Sequence, residues 1–106
     1  MKSAANEIDP YFALADPTRR KILALISNRE CSVNALVEQF DMSQPAISQH
    51  LKVLRSSGIV SVRRDGRRRL YTVDFQRLKG VHDWISQFEE YWETKMDALD
   101  EYLQTS

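Results

Sequence analysis

A chain of 106 residues with 15 basic and 15 acidic side chains, formally neutral, suffices for one domain with a modest core. It has no apolar run near the roughly 20 residues of a bilayer span, no secretory-leader core in MKSAANEIDP, and one cysteine, Cys31. These features exclude a membrane-spanning helix and an internal disulfide framework, and make a cytoplasmic location the expectation.

Met1 to Ala5 are expected to fray. Asp9-Pro10 and Asp16-Pro17 each read as a cap followed by proline in the first turn, so two helices should start close together, over 10–15 and 17–27. The second has a broad apolar side of Ile22, Leu23, Leu25 and Ile26. Its first turn carries Arg19, Arg20 and Lys21, which read either as solvated charges or as phosphate contacts. Ser32 can cap a short helix whose apolar residues Val33, Leu36, Val37 and Phe40 recur at helical spacing. After a break at Asp41 and Met42, Ser43 offers a second cap with Pro45 in the first turn. Ile47, Leu51 and Leu54 then form an inward stripe, and Pro45, Ser48, Gln49 and Lys52 the opposite side. This is the spacing of a helix-turn-helix. Its outward Gln and Ser side chains can donate and accept at base edges in a major groove. His50, at the edge of the stripe, reads as a packed or hydrogen-bonded histidine.

Gly58 is placed to end that helix in the left-handed conformation. The runs Ile59–Arg64 and Arg67–Val73 flank Asp65-Gly66, a strong signal for a hairpin turning on those two residues. Val60, Val62, Leu70 and Val73 should lean on the helices, with Tyr71 packing, because a lone hairpin is marginal. Packing has no need of Arg63, Arg64, Arg67, Arg68 and Arg69 around one turn; a phosphate backbone or minor groove would use them directly. Asp74 caps a long last helix over 75–103, with Gly80 a weak point near its start. Its apolar seam includes Val81, Trp84, Ile85, Phe88, Tyr91, Trp92 and Leu99. That is more aromatic surface than one small domain can hide, so a second copy is expected against it, together with Phe12 of the first helix.

The neutral sum conceals an asymmetry. Between Lys52 and Arg69 only Asp65 is acidic, whereas from Glu89 to the end only Lys95 is basic. Local field, not net charge, attracts a polyanion. The expected architecture is mainly α with a small β-hairpin: a single winged helix-turn-helix domain over 1–106, dimerising through its N- and C-terminal helices.

ALADPTRRKILALI at 13–26, SVNALVEQFDMSQPAISQHLKVLRSSGIV at 32–60 and RRDGRRRLYTV at 63–73 resemble the ArsR/SmtB family of bacterial winged-helix repressors. The resemblance implies a homodimeric, often autoregulatory repressor of promoter operators in double-stranded DNA. It puts the base-contacting positions on Gln44, Pro45, Ser48 and Gln49, with Ser43 and Lys52 beside them, and the wing arginines on the backbone or minor groove. Metal-sensing members carry a CVC pattern where this chain has Ser32 and Asn34, and a second ligand set on the terminal helix where it has His82 and Asp83. One thiolate, or two adjacent helical side chains about 100° apart, makes no tetrahedral site. The chain therefore resembles the branch without metal sites: no metal, no cofactor and no membrane partner are expected, and no residue names a small-molecule effector. Cys31 reads as a small buried residue at a helix start. A thiol-based redox regulator through Cys31 and a winged-helix protein-interaction module remain alternatives. No triad, phosphate-cradling loop or nucleotide motif can be assembled, so an enzyme is excluded.

Overall fold

The computed structural model describes residues 7–105; residues 1–5, expected to fray, lie outside them. Five side-chain caps set the helix starts. Asp9 caps α1 (Pro10–Leu14), and Asp16 accepts from the Arg19 N–H at 3.0 Å to cap α2 (Pro17–Asn28). Ser32 and Ser43 accept from the N–H groups of Ala35 and Ala46, starting α3 (Val33–Val37) and α4 (Gln44–Ser56). Asp74 accepts from Gln76 and Arg77, starting α5 (Phe75–Ser86). Each of these oxygens satisfies an orphan donor of a first turn.

Ile22, Ile26, Leu36, Ile47, Leu51, Leu54 and Ile59 are fully buried together, so the inward stripe of α4 closes on α2 and α3. Gly58 has φ +84° and its N–H donates to the Arg55 carbonyl, the expected left-handed helix end. The chain then enters β1 (Val60–Asp65), which pairs antiparallel with β2 (Arg68–Val73). Val60, Leu70, Tyr71 and Val73 are buried and anchor the hairpin.

The turn is displaced by one residue from the expected position. Asp65 pairs with Arg68, leaving Gly66 and Arg67 as the two loop residues. Only Gly66 has a positive φ, +66°, which fits a type II′ turn with glycine first; no non-glycine residue among those described enters the left-handed region. Asp65 is thereby spared that conformation. A further pairing escaped the sequence reading. Cys31 and Tyr71 exchange two backbone hydrogen bonds of 3.1 and 2.8 Å, adding a one-residue third strand beside β2.

The last helix is two helices, not one: α5 ends at Ser86 and α6 spans Glu89–Thr105. At the junction the Ser86 hydroxyl donates to the His82 carbonyl at 2.8 Å, and the Phe88 N–H reaches back only three residues to Ile85. Side-chain bonding to a carbonyl four residues back bends helices. None of the residues of α6 is buried. The radius of gyration is 17.6 Å, against about 13 Å for a compact domain of this length, because α6 projects from the body. No helix among the described residues is long and apolar enough to cross a membrane.

Candidate nucleic-acid interface

Two adjoining grooves run between the wing and the helices α3 and α4. One is lined by Gln44, Ser48, Lys52, Arg55 and Arg69, with Leu51 and Tyr71 among the residues of its walls. The other is lined by Ser32, Asn34, Gln44, Arg67, Arg68 and Arg69. Gln44 and Arg69 belong to both. The helix residues Gln44, Ser48 and Lys52 recur at four-residue intervals and so share a side. Lys52 and Gln44 are exposed and Ser48 is half-buried. Ser43, Pro45 and Gln49 are also at the surface, Gln49 and Pro45 on the flank of α4 outside the groove linings.

Arg55 and Asn34 join the groove without having been singled out in the sequence. The signal for Arg55 was available, since it stands three residues beyond Lys52 and seven beyond Ser48 on the same side of α4. Nothing local marks Asn34, whose place depends on how α3 docks.

On the wing, alternation puts Val62 and Arg64 of β1 and Tyr71 and Arg69 of β2 on the groove side, with Arg64 directly opposite Arg69. Like charges directly opposed in a sheet are destabilising. Among the described residues, Lys52, Arg55, Arg64, Arg67 and Arg69 form no ion pair, whereas Arg68 meets Asp65 at 3.2 Å and Arg63 meets Glu30 at 2.6 Å. The hydrogen bond from Arg63 holds the Glu30 carboxyl below the usual glutamate range and raises Arg63 in turn.

Arg19 and Arg20 do more than carry charge at the surface. Arg19 Nε donates to the Ala13 carbonyl at 2.7 Å and Nη2 to that of Phe12 at 3.2 Å, while Arg20 Nη1 donates to Leu14 at 2.7 Å. Both guanidiniums cap the carbonyl end of α1, where positive charge is favoured. Arg19 Nη1 also lies 3.5 Å from His50 Nδ1, so His50 is the half-buried, hydrogen-bonded histidine expected. The backbone N–H of Arg19 is the main cause holding Asp16 below the usual carboxylate range.

Away from the groove, Phe12, Trp84, Ile85, Phe88, Tyr91, Trp92 and Leu99 are all exposed on α1, α5, the junction after it and α6. Trp84 touches both Tyr11 and Phe88 edge-on, at 5.6 and 5.0 Å between ring centres, which makes the patch continuous from α1 to the junction before α6. Val81 differs from them in being buried within its own chain.

With that geometry in view, the sequence profile described as "Bacterial regulatory protein, arsR family" matches residues 16–62, from the cap of α2 through the first half of β1. The transcriptional repressor SdpR of Bacillus subtilis is 34% identical over 78 residues, covering 74% of this chain and 87% of the repressor. The chain belongs to the ArsR family. The HTH-type transcriptional regulator Rv2034 of Mycobacterium tuberculosis is 38% identical over 72% of this chain and 71% of its own length. Among solved structures, that described as a "Possible transcriptional regulator for arsenical resistance" superposes with a TM-score of 0.70 at 41% identity, over 76% of this chain and 84% of the other. Members of the ArsR family are DNA-binding transcription regulators, not enzymes, and the winged helix-turn-helix is their fold. Ser32, whose hydroxyl caps α3, and Asn34 both line the second groove.

Proposed function

We propose that this protein is a homodimeric repressor that binds promoter operators in double-stranded DNA, its own promoter included, without responding to a metal ion. One observation carries the reading: the groove that holds the polar side of α4 against unpaired wing arginines. Gln44, Pro45, Ser48 and Gln49 read base edges, Ser43 and Lys52 hold the adjacent backbone, and Arg64, Arg67, Arg68 and Arg69 engage phosphates or the minor groove. The exposed aromatic patch supports pairing of two chains. A two-fold dimer would present its recognition helices about 34 Å apart, one helical turn of DNA. The names of SdpR and of the arsenical-resistance regulator support regulation of transcription, and Ser32 and Asn34, standing where the family resemblance would put a metal-binding cysteine pair, support a signal other than a metal.

The test is fluorescence anisotropy against the gene's own upstream promoter and a scrambled duplex across a salt series. Tight promoter binding that falls steeply with salt is expected. Gln49→Ala should lose about 1–3 kcal/mol of preference for the operator. Arg67→Ala should weaken binding to both duplexes and reduce the salt slope by about 0.9. Absence of binding to either duplex at low salt would overturn the reading.

A further inference from the structure

Arg63 stands apart from the other wing arginines. Its Nε donates to Glu30 Oε2 at 2.6 Å and its Nη2 to Glu30 Oε1 at 2.7 Å, a two-pronged fit of guanidinium to carboxylate. The other arginine pair of the wing, Arg68 with Asp65, spans only the turn itself. The Glu30 contact instead ties β1 to a loop 33 residues earlier in the chain. Glu30 directly precedes Cys31, and Cys31 holds Tyr71 of β2 through two backbone hydrogen bonds. Tyr71 in turn faces Val62, the neighbour of Arg63. Both strands are therefore fastened, one residue apart, to the same short loop between α2 and α3. By strand alternation Arg63 points to the opposite side from Arg64 and Arg69, and it lines neither groove.

We propose that Arg63 and Glu30 are a positioning pair that sets the inclination of the wing over the recognition helix, and that Arg63 makes no phosphate contact. This rests on the DNA-binding reading above. A hairpin held only at its apolar base can rock about that base. A second tie on the outer strand fixes where the tip arginines meet the duplex, and holding charges in place ahead of binding lowers the cost of association. The carboxylate also neutralises Arg63, leaving the free wing charges on the groove side.

Lysine separates positioning from phosphate contact. It serves a phosphate as a point charge but cannot form the two-pronged bond. Duplex affinity is measured by anisotropy across a salt series for the wild type, Arg63→Lys, Arg63→Ala, Glu30→Gln, the Arg63→Ala/Glu30→Gln double variant, and Arg67→Ala as reference. Melting temperatures confirm that each variant is folded. The expected result is that Arg63→Lys, Arg63→Ala and Glu30→Gln each weaken binding by a similar factor, up to about fivefold as for one well-formed exposed pair. Their salt slopes should match the wild type, and the double variant should be no weaker than either single one. Three results would overturn the proposal: wild-type affinity for Arg63→Lys, a slope lowered by about 0.9 for Arg63→Ala, or tighter binding by Glu30→Gln. A wild type that binds no duplex would refute the DNA-binding reading itself. Binding with a lowered slope for Arg67→Ala and for Arg63→Ala alike would refute only the positioning role.

Discussion

Trp84→Ala tests the pairing of two chains most directly. Trp84 is 53% exposed although it already touches Tyr11 and Phe88. About half of an indole's surface, on the order of 130 Å², is thus left on each protomer. At about 25 cal/mol per Å², covering it in both protomers of a two-fold dimer contributes about 6 kcal/mol. Covering only half of it still contributes about 3 kcal/mol, a weakening of the dimer dissociation constant by about a hundredfold on truncation. Sedimentation velocity over a concentration series gives that constant, with thermal melting of the variant as the check on folding, since the two edge-on ring contacts within the chain are lost as well. A folded Trp84→Ala that dimerises as tightly as the wild type would refute the assignment of this patch. So would a wild type that stays monomeric at tens of micromolar.

Arg19→Ala should release the carbonyl end of α1 and cost about 2 kcal/mol in chemical denaturation, given two charged hydrogen bonds that are partly exposed; a loss below about 0.5 kcal/mol would show that Arg19 is not the cap. Gly58→Ala should cost at least about 1 kcal/mol for forcing alanine to φ +84°. The new Cβ would also lie 2.5 Å from Arg77 Nε, so the Arg77 side chain must move. Gly66→Ala meets open space at φ +66° and should pay the backbone strain alone, making it the milder of the two in the same denaturation assay. Acid should loosen the lowered carboxylates of Asp16 and Glu30. Because Asp16 and Glu30 have folded values below their unfolded ones, their stabilisation is complete above the ordinary carboxylate range near about pH 4 and is lost as pH falls through the lower folded values. Melting temperatures from pH 6 to pH 2.5 should therefore fall less steeply for Asp16→Asn than for the wild type; identical slopes would remove Asp16 from the account.

Five of the six helix starts were legible because each is written within four residues: a cap oxygen, often a proline, then an apolar period. Asp9, Asp16, Ser32, Ser43 and Asp74 all act locally. The inward stripe of α4 was legible for the same reason of fixed period. The hairpin was visible but its turn was not, because Asp65-Gly66 and Gly66-Arg67 are both acceptable loops and the strand register decides between them. The junction at Gln87 and Phe88 had no breaker residue to announce it. The contacts of Arg19 and Arg63 and the groove position of Asn34 were not legible, for another reason. Their partners or groove neighbours lie on other elements, so their roles exist only after the elements have packed.

Arg64 opposite Arg69 has a consequence for evolution and for engineering. The repulsion raises the free energy of the unbound wing, and a polyanion laid along it removes that cost, so affinity for DNA and stability of the free protein are set against each other at this one rung. Replacing either arginine with threonine should raise the melting temperature of the free protein while weakening its grip on DNA. A selection for thermal robustness alone would drift toward the better-folded, poorer regulator. Variants of this rung chosen by stability and variants chosen by regulation should come out as opposite sets.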